Sequence, residues 1–133
     1  MAFYRTREGA LTAADSFTAL GSLYGQSTTS AVQIPKQASS IIGIIATVAS
    51  DSASNGATTF AVQLSGDGLS QGQETMTVGS QGVDGTPASN GMTNLPLNLD
   101  VAIPVIGSNQ VSIAAAMDTD VGTCAVAVTL VFA

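Results

Sequence analysis

Two short stretches carry oxygen donors at a spacing that suits a hard cation. "MDTDVG" sets Asp118 and Asp120 two residues apart, and "SGDGLSQGQE" holds Asp67 and Glu74 among glycines and hydroxyls. Carboxylates, carbonyls and hydroxyls are the ligands calcium takes, but neither stretch follows the twelve-residue helix-loop-helix pattern. Aspartate in a Gly-rich turn more often bonds its own backbone, so both stretches are read as turns without an ion. A carboxylate pair for sugar hydrolysis would be drawn from Asp51, Asp67, Glu74 and Asp84, all in turn-like sequence where acidic residues are expected anyway. "SGDGLSQG" has neither the Lys nor the strand-to-helix setting of a phosphate loop. The chain has no His, so the usual general base is missing. A Ser–Lys pair would recruit Lys36 with Ser39 or Ser40, a spacing that fits no nucleophile motif. Cys124 is the single cysteine, which excludes an internal disulfide or a cysteine metal cluster. Its neighbours alternate as in a strand, so it reads as a small buried apolar residue. No catalytic, cofactor-binding or metal-ligating residue is assigned, no cofactor is expected, and an enzyme is not expected.

The elements that would position any site must be built from unusual material. Of 133 residues, 9% are charged, against about 25% in ordinary soluble domains. Roughly half of the chain is Ala, Gly, Ser and Thr. A monomer normally keeps apart from its neighbours by charge, so sparse charge points to a chain packed against other chains. The net charge of −6 disfavours nucleic acid, which requires clustered Lys and Arg. Arg5 and Arg7 are too few for a genome-binding arm and read as solvated or salt-bridged. No stretch approaches the roughly 20 apolar residues of a membrane helix. "MAFYRTREGALTAADSF" lacks the apolar core of a signal peptide, so an unprocessed start is expected.

Residues 1–29 are expected to form an N-terminal arm with one short turn of helix, packed on its own domain or across a neighbouring subunit. Leu11, Phe17, Leu20, Leu23 and Tyr24 give it apolar contacts, while Gly21 and Gly25 weaken any helix. Residues 30–133 read as a β-sandwich domain. "SAVQIP" alternates and stops at Pro35; "SSIIGIIATVAS" is β-branched on both faces, as in a strand covered on both sides. "TTFAVQLSGDG" places Phe60, Val62 and Leu64 on one face, and "QETMTVGSQG" reads as a short strand. "VDGTPASNGMTN" is a long polar loop. In "LPLNLDVAIPVIG" the residues Leu95, Leu97, Leu99, Val101, Ile103 and Val105 alternate inward, and Pro96 with Pro104 marks an edge strand or a bulge. "QVSIAAAM" and "TCAVAVTLVFA" close the pattern, the latter with Cys124, Val126, Val128, Leu130 and Phe132 toward the core and small, mostly apolar residues outward. That strand is expected at or near the centre of a sheet. The fold class is all-β: an antiparallel β-sandwich of about eight strands, a single jelly roll, with an immunoglobulin-like sandwich as the alternative.

These features resemble the small single jelly-roll proteins of viral capsids and the β-sandwich decoration proteins of phage capsids. The resemblance covers residues 30–133 and rests on the strand pattern, the small-residue surface and "VSIAAAMDTDVGTCAVAVTLVFA". It implies a structural virion protein, a capsid or capsid-decorating subunit acting through homo-oligomerisation and contact with other virion proteins. The lack of a basic arm argues against direct packing around a genome. Two other readings stay open. One is a carbohydrate- or surface-binding module whose loops "SNGAT" and "VDGTPASNGMTN" hold the ligand, though the tyrosines Tyr4 and Tyr24 and the four Phe lie outside those loops. The other is an extracellular fibre subunit.

Overall fold

The computed structural model describes residues 2–12, 14–21, 31–50, 56–83, 92–118 and 124–133. Asp51, Asp84, Asp120 and Tyr24 lie outside these residues, as does most of the loop that follows Val83. All described regular structure is β. The strands are β1 (Phe3–Leu11), β2 (Thr18–Ala19), β3 (Ala31–Gln33), β4 (Ser40–Ser50), β5 (Gly56–Ser65), β6 (Gln73–Val83), β7 (Met92–Pro104), β8 (Gln110–Met117) and β9 (Cys124–Phe132).

Their pairing is that of one long hairpin rolled over on itself. β5 pairs β6, β4 pairs β7, β2 and β3 pair β8, and β1 pairs β9, all antiparallel. Rolling places the strands in two sheets: sheet A in the order β1-β9-β4-β7, and sheet B in the order β2-β8-β5-β6, with β3 also on β8. With β2 and β3 counted as one interrupted strand, this is the eight-strand jelly-roll arrangement. The sandwich expected from the alternation is therefore the observed one, and β9 is central, flanked by β1 and β4.

The core is the apolar layer between the sheets. β9 supplies Cys124, Val126, Val128, Leu130 and Phe132, all buried, and β4 beside it in the same sheet adds Ile41, Ile44, Ala46 and Val48. Sheet B answers with Phe60, Val62 and Leu64 of β5 and Val111, Ile113, Ala115 and Met117 of β8. The period of two along each strand puts these side chains on one face. The hairpin loop after β5 turns on Gly66 and Gly72, both at positive φ, and drops Leu69 back into the core. Within that loop Gly68 admits no side chain: a Cβ there would meet Ile34 and lie 2.6 Å from the Gln110 carbonyl oxygen.

The N-terminal segment differs from expectation. Residues 3–11 are neither helix nor a loose arm. They form β1, paired with β9 from Phe3↔Phe132 to Leu11↔Cys124. Leu11 and Leu20 belong to the core of their own sandwich, and Leu20 lies over Gly9, where a Cβ would approach it to 3.1 Å. A second difference lies in β7. It is an edge strand, as its prolines require, but the inward alternation breaks. Ile41 pairs Ile103 and Gly43 pairs Asn98, so residues 99–102 bulge opposite Ile42 alone. Leu97 and Leu99 pack partly on the core, while Val101 is 82% exposed. The extra residues bow the chain outward and leave Val101 in solvent, while Ile103 and Val105 beyond the bulge return to the core.

Truncating a core Leu to Ala costs about 2–5 kcal/mol. Leu130→Ala should therefore destabilise the subunit by about that amount in denaturant titration, whereas Thr129→Ala, on the outer face of the same strand, should cost under about 1 kcal/mol. Equal midpoints for the two variants would contradict the placement of β9.

Candidate functional site

The acidic residues singled out from sequence do not converge. Asp67 is exposed in the β5–β6 loop, where its Oδ1 accepts the Gln110 N–H at 3.4 Å and its carbonyl accepts from the Asn109 amide at 3.2 Å. Glu74 stands in β6 opposite Leu64. Asp118 follows β8, and its Oδ1 accepts the Thr59 N–H at 2.8 Å while its own N–H donates to the Thr59 carbonyl. Both aspartates act as acceptors for the backbone of a neighbouring strand rather than for their own turn, where the sequence alone places their bonds. Among the described residues no group of three acidic, His or Cys side chains comes together. Lys36 and Ser39 are exposed at a turn, and the Ser39 backbone is spent on Ala133 and Val105. Cys124 is fully buried.

The two arginines part company. Arg5 donates to the Tyr4 carbonyl in solvent. Arg7 sits at a register position opposite Val128, so its stem points to the core side of sheet A at the sandwich's open edge. Its guanidinium donates to the Thr6 carbonyl at 3.0 Å and to the Ala31 carbonyl of β3 at 2.9 Å. Arg7 thus spans from one sheet to the other. Long basic side chains can cover apolar surface with the stem while the head stays polar, and Arg7 closes the seam between β1 and β3 in this way. This corrects the reading of Arg7 as a solvated or salt-bridged group.

Two outward surfaces remain. On sheet A the cross-strand rows are Tyr4–Val131–Gly43, Thr6–Thr129–Ile45 and Glu8–Ala127–Thr47. Thr6 and Thr129 share a hydroxyl hydrogen bond of 2.8 Å. Within these rows Glu8 is the sole charged side chain, and the rest is methyl, hydroxyl and one exposed phenol ring.

On sheet B the outer face forms a groove of about 300 Å³ lined by Asp15, Phe17, Thr59, Ala61, Thr77, Ala116, Met117 and Asp118. Its floor is small because Ala61 pairs both Ala116 and Thr77. Its wall comes from the segment between β1 and β2. Asp15 takes a left-handed backbone, φ 56°, and donates its N–H to the Met117 carbonyl. The Thr18↔Ala115 pair then sets Phe17 one step further along, beside Ala116. Sequence reading sought ligand contacts in the loops instead; most of those residues lie outside the described ones.

No family model matches the chain, and no curated protein does. Solved structures do. One is the infectious bursal disease virus Gx strain structure, at 12% identity and TM-score 0.48, over 99% of this chain and 37% of that one. The capsid structure of Helicobacter pylori bacteriophage KHP30 matches at 13% identity and TM-score 0.44, over 100% of this chain and 94% of that one. The C-terminal family 22 carbohydrate binding module of Clostridium thermocellum Xyn10B matches at 16% identity and TM-score 0.42, over 95% and 85%. The chain spans little more than a third of the first of these proteins. Viral capsid proteins are thus among its structural neighbours, as the strand pattern led us to expect, and the likeness is one of fold. No described helix is long and apolar enough to cross a membrane.

Hydrogen bonds to a charged donor contribute about 1.5–3 kcal/mol each. Half-buried Arg7 makes one such bond between strands, to the Ala31 carbonyl, and one within β1, to the Thr6 carbonyl, so Arg7→Ala should lower stability by about 1–3 kcal/mol, and Arg7→Lys, lacking the fork, should recover only part of it. Arg5→Ala should change the unfolding midpoint little. A silent Arg7→Ala would show that the seam does not need the guanidinium.

Proposed function

We propose that the chain is a structural subunit of a virion, a capsid or capsid-decorating protein that acts without catalysis. It works by assembling with copies of itself and with other virion proteins. The observation that carries this reading is the outer face of sheet A, a twisted surface spanning β1, β9 and β4 with Glu8 as its one charge. Interface cores are depleted in charged residues, and an extended patch with so little charge is poorly suited to a permanently free monomer. The face is also rigid. β9 is held on both sides, and the Ala133 N–H and carbonyl bond to the Ser40 carbonyl and to the Ser39 and Ser40 N–H groups. Small side chains let two such sheets approach closely, which favours a broad contact made by shape rather than by ion pairs. The virion setting rests on the resemblance drawn from strand pattern and composition. The low content of basic residues fits a layer that does not itself wrap nucleic acid.

Sedimentation at micromolar concentration should show an oligomer or particle for the unmodified chain. Ala127→Lys with Thr129→Lys should convert it to a folded monomer, with the subunit's stability lowered by no more than about 1–2 kcal/mol, since the Thr6–Thr129 bond is lost as well. A parent chain that stays monomeric over this range, or a double variant that assembles unchanged, would refute the assignment.

A further inference from the structure

We infer that the groove on the outer face of sheet B binds a neutral saccharide. This site is separate from the proposed assembly face, which belongs to the other sheet, so the inference does not rest on that reading. The groove combines an apolar plate with convergent polar groups, the composition expected of a small-molecule site. Phe17 is 41% exposed, so its ring is not consumed by the subunit's own core. Beside it half-buried Ala61 and the largely covered Ala116 make the floor, in one row with Thr77. A pyranose or pentose ring offers a matching apolar C–H face, and its hydroxyls project around the rim.

The rim of the groove supplies partners for those hydroxyls. Asp15 and Asp118 bring carboxylates, which accept hydrogen bonds from O–H donors in the shorter, stronger charge-assisted form. Thr59 and Thr77 bring hydroxyls that both donate and accept. The lining contains no Lys, Arg or His. In a chain of net charge −6 such a groove repels phosphates and acidic sugars. The geometry is set by the sheet rather than by a long loop. Asp15 is pinned by its N–H bond of 2.8 Å to the Met117 carbonyl, and Asp118 by its exchange with Thr59. Two carboxylates and a ring would also attract an ammonium group. The saccharide is favoured because a single aromatic wall over an alanine floor makes an open trough, whereas an ammonium is best held by several ring faces around it.

Saturation-transfer NMR reads the ligand's own signals and works on the full chain in any state of assembly. The probes are xylohexaose, maltohexaose and chitotetraose, with sialyllactose as an acidic sugar and N-acetyl-lysine methylamide as a cation. At least one neutral oligosaccharide should receive saturation on its ring protons, and sialyllactose should receive none. Phe17→Ala should raise the Kd about tenfold or more. Asp15→Asn keeps a residue type that tolerates the left-handed backbone and should weaken binding without altering the fold. The assembly-face variant with Ala127→Lys and Thr129→Lys should bind as the parent does. Transfer to none of the three neutral probes, equal transfer in Phe17→Ala, or transfer to the lysine probe alone would each overturn the assignment.

Discussion

Every part of the molecule depends on β9 being clamped between β1 and β4 with five apolar side chains facing the opposite sheet. A two-sheet sandwich has one core layer, and each buried Val, Leu or Phe within it is worth about 1.5–3 kcal/mol. A domain has only about 5–15 kcal/mol of net stability, so β9 alone carries a large share of the margin. The groove of sheet B, the outer face of sheet A and the seam closed by Arg7 are all secondary to that layer. They exist because the two sheets are held face to face by it.

The two outer faces follow from the same sequence economy in different ways. In β9 and β4 the outward positions are Ala, Thr, Val and Ile, which pack well on a pleated surface and leave it almost without charge. In β5 and β8 the outward positions include Ala61, Ala114 and Ala116. There the smallness of the side chains produces relief instead of a plane, because the segment between β1 and β2 brings Phe17 up against them. One kind of residue, alanine, thus serves a broad flat surface on one sheet and a concave one on the other. The difference lies in what stands next to it.

Much of the sandwich was legible because alternation is a direct consequence of strand geometry. β5, β8 and β9 carry uninterrupted inward sets, and the two prolines of β7 marked an edge. β1 was hidden by Arg5 and Arg7. They occupy register positions opposite Leu130 and Val128, where a pattern search expects apolar residues, yet the edge of a sandwich allows a basic side chain to run along the core margin and end on carbonyls. Val101 was misplaced because it falls within the bulge, where the strand leaves its pleat for a few residues, and nothing in "LNLDVAIP" announces extra residues. The groove left no trace in the sequence. Its lining is gathered from residues 15, 17, 59, 61, 77 and 116–118, and alanines and threonines at strand positions look like any others. Asp67 and Asp118 do stand at the turn and bend their sequence suggests, but their carboxylates accept from Gln110 and Thr59, dozens of residues away along the chain, and such partners leave no mark on the local sequence.

The rolled-hairpin pairing also has a temporal side. β1 is made first among the described strands and waits for β9, which is made after all the others, and β4 waits for the same partner. Until then sheet A is a set of strands with its middle missing, its apolar faces uncovered and its hydrogen-bonding edges open. Contacts so distant along the chain form slowly because loop closure must precede them. Completion of the sheet therefore has to follow synthesis of nearly the whole sandwich, and the nascent chain passes through a period in which any other strand, including one from a neighbouring nascent copy, can compete for the place of β9.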